Sequence, residues 1–427
     1  MHLLLVSPRF PPSNAADSQR LRMLLPHFTA VGCTAEVLAV DPRCSANELD
    51  PWQAAHLPPE VPIHRVRGLS LRWARLPGLG SVDARCHRAL AHSGSRLLRK
   101  RRFDLVYFST TEFGSFRLGP LWKRRHGVPF VLDYQDPWVN DHYRRHPDIS
   151  PPGGRLKHAI SDRLHRFHEP RVLRHAAGIT AVSPAYPAQL QDRYPFTTRT
   201  PSVVLPFPGS PTDFDHLGTI PPNQLPFDPQ DGLIHWVSIG RGGDDLHTAL
   251  NGLFSAISQH APLELRRQLR LHFIGTSYAP PGRGLATIFP VAKHYDLQDI
   301  VVEQTERLPL SIALATLKAA DALMVIGSND PSYTASKLNP YLLAQRPLLA
   351  ILHERSPAAE LLMSSSSCKL ATFNESTGCE RLSLKIKKVW LENGQYCANP
   401  QAGAVIGKAY LAQEQAKELV MFFRTCI

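Results

Sequence analysis

Apolar positions in the first half of the chain fall into two alternating patterns. Short unbroken runs occupy residues 3–7, 34–40, 103–108, 128–133 and 178–183, and longer stretches with helical spacing lie between them. Leu21, Leu24, Leu25 and Phe28 recur at the interval of an amphipathic helix, with Asp17 or Ser18 placed to cap its start and Gly32 to end it. Apolar strands separated by helices predict a parallel sheet covered on both faces. Residues 208–231 break the rhythm: Pro208, Pro211, Pro221, Pro222, Pro226 and Pro229 crowd a stretch without periodicity, which reads as a hinge. The alternation then resumes, with strands expected over 233–239, 271–275, 300–303, 322–327 and 348–352. Helices are expected over 248–257 and 312–320, and another from about 404 to 423. The prediction is an α/β protein of two doubly wound domains, 1–207 and 232–403, followed by a C-terminal helix in 404–427. Ligands of such sheets bind beyond the carboxyl ends of the strands, so the expected site is the cleft where the two domains face each other.

Composition narrows the class. At 427 residues, 43% hydrophobic and 20% charged, the chain suits a globular protein of two or three domains. No apolar run approaches the roughly 18–20 residues of a membrane span. The start, Met1 to Ser7, is too short for a signal-peptide core and lacks a basic leader, so a cytoplasmic location is expected. Seven scattered cysteines without a CxxC spacing point to reduced thiols rather than a disulfide framework or a zinc site. Charge is distributed unevenly: residues 1–200 hold 29 Lys+Arg against 16 Asp+Glu, and the remainder holds 19 against 20. Clusters at Arg99–Arg102, Lys123–Arg125 and Arg144-Arg145 suit solvated helix faces or an anionic membrane surface. No nucleic-acid-binding module accompanies them, so nucleic acid is not an expected partner.

Two loops carry candidate chemistry. Gly240-Arg241-Gly242-Gly243 follows the strand expected at 233–239; glycines permit close backbone approach to a phosphate, and Arg241 can give it paired hydrogen bonds. It is not a Walker loop, which requires GxxxxGK[ST]. Tyr333-Thr334-Ala335-Ser336-Lys337 opens a helix bearing Leu338, Tyr341 and Leu342; Thr334 and Ser336 can cap it, and Lys337 adds a cation. In the first half, Asp136 stands at a strand end beside Trp138, placed to accept a hydroxyl proton. Glu112 and His142 are further acceptor-side candidates.

Gly240–Gly243, then Ser336-Lys337-Leu338, Tyr341–Ala344 and Arg346–Ala350, resemble the family 4 retaining, sugar-nucleotide-dependent glycosyltransferases. The motifs Ser7–Pro12, Asp133–Trp138 and Ala181–Pro184 extend the resemblance over essentially the whole chain. It implies the GT-B fold: a Rossmann-like acceptor domain, a Rossmann-like donor-nucleotide domain, and a terminal helix returning to the first. It also implies that Arg241 and Lys337 hold the donor diphosphate of a UDP- or GDP-sugar and assist its departure, without a metal or other cofactor. Gly240, Gly242, Gly243, Tyr333, Thr334 and Ser336 would line the donor, Asn14 would approach it from the first domain, and Asp136, Glu112, Trp138 and His142 would face the acceptor.

The chain departs from the family pattern in three places. Asn14-Ala15-Ala16 replaces a Gly-Gly pair, Ser332 and Pro340 stand where two glutamates are usual, and Asp244–His247 lacks the usual lysine. The function implied is sugar transfer to a hydroxyl of a glycan, a lipid-linked or a small-molecule acceptor, in the cytoplasm or at the inner membrane face. A non-catalytic GT-B scaffold and a sugar-nucleotide epimerase are the alternatives.

Overall fold

The computed structural model describes residues 1–427 except 77, 142–153, 219, 280–281, 332–337, 364–367, 393, 395 and 397–406. The chain divides into two compact units, Met1–Pro208 with Ala409–Ile427, and Gly209–Lys408.

The first unit is built on a seven-stranded sheet of β1 (His2–Val6), β2 (Thr34–Val40), β3 (Ile63–Val66), β4 (Leu105–Ser109), β5 (Phe130–Tyr134), β6 (Gly178–Ala181) and β7 (Ser202–Val204). Their spatial order is β3-β2-β1-β4-β5-β6-β7, with every pairing parallel. Successive side chains of a strand point to opposite faces, and the apolar runs feed two cores accordingly. Leu4, Val6, Leu38, Val40, Val106 and Phe108 enter one, with Trp122 and Phe116. Leu3, Leu5, Val37, Ala39, Leu105 and Tyr107 enter the other. The terminal Ala412–Arg424 helix covers this second face with Ala412, Ala416, Leu419, Val420 and Phe423, a helical stripe against Leu21, Leu24 and Phe28.

The second unit repeats the plan with β8 (Ile234–Ile239), β9 (Leu269–Ile274), β10 (Val301–Gln304), β11 (Ala322–Ile326), β12 (Leu348–His353) and β13 (Cys368–Phe373), ordered β10-β9-β8-β11-β12-β13 and all parallel. Trp236, Met324, Leu349 and Ile351 face one core, which includes Trp390; Val237, Leu323, Val325 and Ala350 face the other. The proline-rich stretch is not a bare tether: Pro211–Asp215 is a short helix, and the Phe227 ring stacks 4.2 Å from His235 of β8.

Three strands, β3, β7 and β13, were not expected, and each is an edge strand. An edge strand lacks one neighbour and carries a weaker apolar signature; β7 is only Ser202-Val203-Val204. The predicted helix start is also corrected. Gln19–Leu24 begins without a side-chain cap, since the Asp17 carboxylate is engaged elsewhere. No helix among the described residues is long and apolar enough to cross a membrane.

Candidate active site

In a doubly wound sheet the strand order reverses at one point, and the loops leaving the two central strands part there to form a crevice. The reversal falls between β1 and β4 in the first unit and between β8 and β11 in the second.

At the first reversal, buried charge ties the strand ends together. Asp133, at the end of β5, has its carboxylate 3.6 Å from Arg20, and both side chains are buried. Ser109 of β4, Thr180 of β6 and Gln135 donate to that carboxylate at 2.7, 2.8 and 3.0 Å. Gln135 also donates to the Asp17 carbonyl at 3.1 Å. Multiple donors to one buried carboxylate offset its desolvation and set a geometry more than they add stability.

Above this layer sits a charged cluster. Arg9, just past β1, lies 3.0 Å from Asp17 and 3.5 Å from Glu112, and donates to the Thr111 hydroxyl. Asp17 accepts from the Thr110 hydroxyl at 2.7 Å and the Thr111 amide at 3.0 Å. Glu112 accepts the Asp83 amide at 3.1 Å. Burial, and then the nearby Asp83 charge, push the Glu112 carboxyl up to about 7, against the pull of Arg9. Asp136 stands at the end of β5 and is open to solvent. The protein mass around it, and next Asp17, nevertheless push its carboxyl up to about 6.

The other acceptor-side candidates part company. Trp138 is buried and stacks 5.9 Å from Phe113 and edge-on 5.6 Å from Phe116, which makes it a core residue. Asn14 is held by Glu48 through its side chain at 3.2 Å and its amide at 3.0 Å. His142 lies outside the described residues. Arg9 and Asp133 fall within motifs of the sequence without a role of their own there, Arg20 and Asp83 carry no sequence signal, and Asp17, expected with Ser18 as a possible cap, belongs to the cluster instead. The available signal was an ionisable residue, Asp133, closing an otherwise apolar run.

At the second reversal the glycine loop differs from an open phosphate cradle. The Gly240 amide donates to Ile274 O at 2.9 Å, Gly242 to Thr276 O at 2.8 Å, and Gly243 to the Thr287 hydroxyl at 3.1 Å. A Cβ on Gly242 would fall 2.3 Å from the Thr287 hydroxyl, and Gly243 has φ of +136°. These two glycines are therefore required by the chain's own packing. The acceptors are in turn fixed by Glu303, which takes the Thr276 hydroxyl at 2.7 Å and the amides of Thr287, Ile288 and Phe289 at 3.0, 2.9 and 2.6 Å.

Arg241 forms a two-pronged pair with Asp245, at 2.7 and 2.5 Å. Asp245 also accepts the Ser328 hydroxyl at 2.6 Å and, through its carbonyl, the Asn329 amide at 2.7 Å, joining the loops of β8 and β11. Burial disfavours the Asp245 charge, but the bonds from Arg241 and Ser328 outweigh it and hold its carboxyl below the ordinary range. Gly240, Arg241, Thr276, Val325, Leu338 and Tyr341 border a cavity of about 40 Å³. That is room for water-sized groups. Tyr341 closes one side, accepting the Ile239 amide at 2.5 Å and donating to its carbonyl at 3.1 Å. Tyr333, Thr334, Ser336 and Lys337 lie outside the described residues. Among the described residues no group of three or more His, Cys, Asp or Glu side chains is placed to hold a metal.

Residues 18–207 match the family model of a glycosyl transferase 4-like domain. No curated protein matches the chain. Among solved structures, the chain is similar to HepE from Anabaena, solved in complex with UDP, at 13% identity over 100% of both chains and a TM-score of 0.59. It is similar to a glycosyltransferase from Rickettsia africae at 13% identity, over 99% of this chain and 98% of that one, with a TM-score of 0.58. WaaG, a glycosyltransferase involved in lipopolysaccharide biosynthesis, aligns at 14% identity over 98% of this chain and 99% of that one, again at 0.58. At such identities the likeness is one of fold. Residues 18–207 thus carry a glycosyl transferase 4-like domain, and the chain has the GT-B fold of the glycosyltransferases it resembles.

Proposed function

We propose that the protein moves a sugar from a nucleotide diphosphate sugar to the hydroxyl of a glycan, lipid-linked or small-molecule acceptor, with retention at the anomeric carbon. The observation that carries the reading is Arg241, oriented by Asp245 at the reversal point of the second sheet. A fixed guanidinium there stabilises charge that develops on a departing diphosphate and needs little reorganisation to do so. The glycine loop contributes by holding that arginine rigidly. Lys337 adds a second cation in this reading. HepE's complex with UDP makes a UDP-sugar the first donor to test, with a GDP-sugar next. On the first unit, Asp136 is the group proposed to accept the hydrogen of the incoming hydroxyl, and the Arg9–Asp17–Glu112 cluster shapes the acceptor side. The basic character of residues 1–200 supports an acceptor presented at an anionic membrane surface, with the protein cytoplasmic or peripheral to its inner face.

A non-catalytic scaffold is the second reading, favoured by the engagement of Arg241 with Asp245 and by Ser332 and Pro340 in place of the usual glutamates. Thermal shift with UDP, GDP, ADP, dTDP and CMP, followed by nucleotide release from the matching sugar nucleotide, separates the two. One diphosphate should stabilise the protein by about 3 kcal/mol at a hundred times its Kd, and Arg241→Ala should abolish the effect. No stabilisation by any nucleotide at millimolar concentration would sink the transferase reading.

A further inference from the structure

The Arg155–Leu173 helix of the first unit buries only part of its circumference. Glu169, Val172 and Leu173 face inward, while Ile160, Leu164 and Phe167 are 57%, 50% and 50% exposed. These three positions share one helical face, so they form a continuous apolar stripe rather than scattered surface residues. The stripe continues into charge: at the next turn the Arg171 guanidinium lies 3.5 Å from the centroid of the Phe167 ring. Arg171 is also one wall of a recess of about 390 Å³, lined further by Arg117, His168, Arg174 and His175, with no acidic residue in its lining. Burial first, and then Arg117 and Arg171, hold the His168 imidazole below its ordinary value, so the guanidiniums dominate the recess at neutral pH.

Apolar side chains beside uncompensated cations are the composition of a surface that lies on an anionic bilayer. The apolar groups enter the headgroup–acyl boundary and the cations meet lipid phosphates. A protein partner of matching charge would leave the guanidiniums equally satisfied but would need a complementary apolar surface; a bilayer supplies both features at once. We propose that this face of the first unit docks on anionic phospholipid, with Ile160, Leu164 and Phe167 inserted and a headgroup phosphate held by Arg117, Arg171 and Arg174. The proposal deepens the membrane contact put forward above and rests on that reading.

Co-sedimentation of the full chain tests it, with vesicles of phosphatidylcholine alone and of phosphatidylcholine containing one-quarter phosphatidylglycerol. Binding is expected only to the anionic vesicles and should weaken with salt. Arg171→Ala with Arg174→Ala should reduce partitioning about 30-fold, and Leu164→Ser with Phe167→Ser should also release the protein. Unchanged binding in either double variant overturns the assignment, as does capture of glycerol 3-phosphate by the recess without vesicle binding. Thermal melts establish that each variant is folded. The UDP thermal shift is measured on the same samples: its failure with vesicle binding intact would strike the donor reading and leave the docking surface standing.

Discussion

Glu112→Gln offers a direct test of the charged cluster in the first unit. Glu112 is largely buried, its side chain about 10% exposed, beside Asp83 and 3.5 Å from Arg9. Burial and Asp83 raise its carboxyl from 4.5 to about 7. That difference corresponds to ~3 kcal/mol between its protonation states. The sign follows from linkage. Below about pH 4.5 the carboxyl is protonated in both folded and unfolded chains and contributes no difference. Between 4.5 and 7 the folded state keeps a proton that the unfolded state releases, so stability falls as pH rises, and the full loss is reached above about pH 7. Glutamine retains an oxygen for the Asp83 amide and does not titrate, so the variant should escape this loss.

Scanning calorimetry of both proteins from about pH 5 to about pH 8 measures it. The first unit is of a size for which each kcal/mol moves Tm by roughly 2–4 °C. Its transition in the wild-type chain should therefore fall by about 6–12 °C more than in Glu112→Gln across that window. Parallel profiles would show that Glu112 ionises normally and that the Asp83–Glu112 proximity is relieved by solvent. A variant that is less stable at every pH by a constant amount would assign Glu112 to the Arg9 contact alone.

Three further outcomes follow from the same geometry. Asp245→Asn removes the charge that orients Arg241 and weakens the tie to Ser328; nucleotide-induced thermal shift should drop several-fold while the unliganded Tm moves little, and an unaltered shift would show that Asp245 does not position Arg241. Trp138→Ala should destabilise the first unit by about 3–5 kcal/mol. Trp138→Phe should leave the acceptor KM unchanged, whereas a large KM rise in the folded Phe variant would return Trp138 to the acceptor site. Leu419→Ala, in the stripe that covers the first sheet, should cost about 2–5 kcal/mol in urea unfolding, and hydrogen exchange should locate the loss in the first unit rather than in β8–β13.

The fold was legible wherever burial left a strong mark. Central strands such as β1, β11 and β12 are largely apolar on both faces because helices cover both, and that pattern is readable along the chain. Edge strands carry a weaker version of it, and β3, with Ile63-His64-Arg65-Val66, mixes polar and apolar residues as a loop does. The start of the first helix shows the limit from another side. Asp17 has the residue type and position of a cap, yet its carboxylate goes to Arg9, Thr110 and Thr111, two of which lie more than ninety residues along the chain. Local propensity contains no term for a partner that distant.

The site divides along the same line. A glycine pattern after a strand marks a place where backbone must come close to something, and the sequence cannot state what. At Gly242 and Gly243 the close neighbours are Thr287 and, behind it, Glu303, a carboxylate that appeared in no motif. What a phosphate would contact is then less the glycine amides than the one side chain the loop holds out. That makes Arg241 the test of the proposed donor site. The loop's own bonds run from Gly240 to Ile274, from Gly242 to Thr276 and from Gly243 to Thr287, while Leu246 donates back to the Gly243 carbonyl and Asp245 orients Arg241. A carboxylate beside the arginine lowers the net charge offered to a diphosphate, so donor affinity in this protein should depend on ionic strength less steeply than a site with two unpaired cations would. Nucleotide titrations at low and high salt measure that slope. A steep dependence would mean that Asp245 releases Arg241 when the nucleotide arrives, and a shallow one that the pair binds it as a unit.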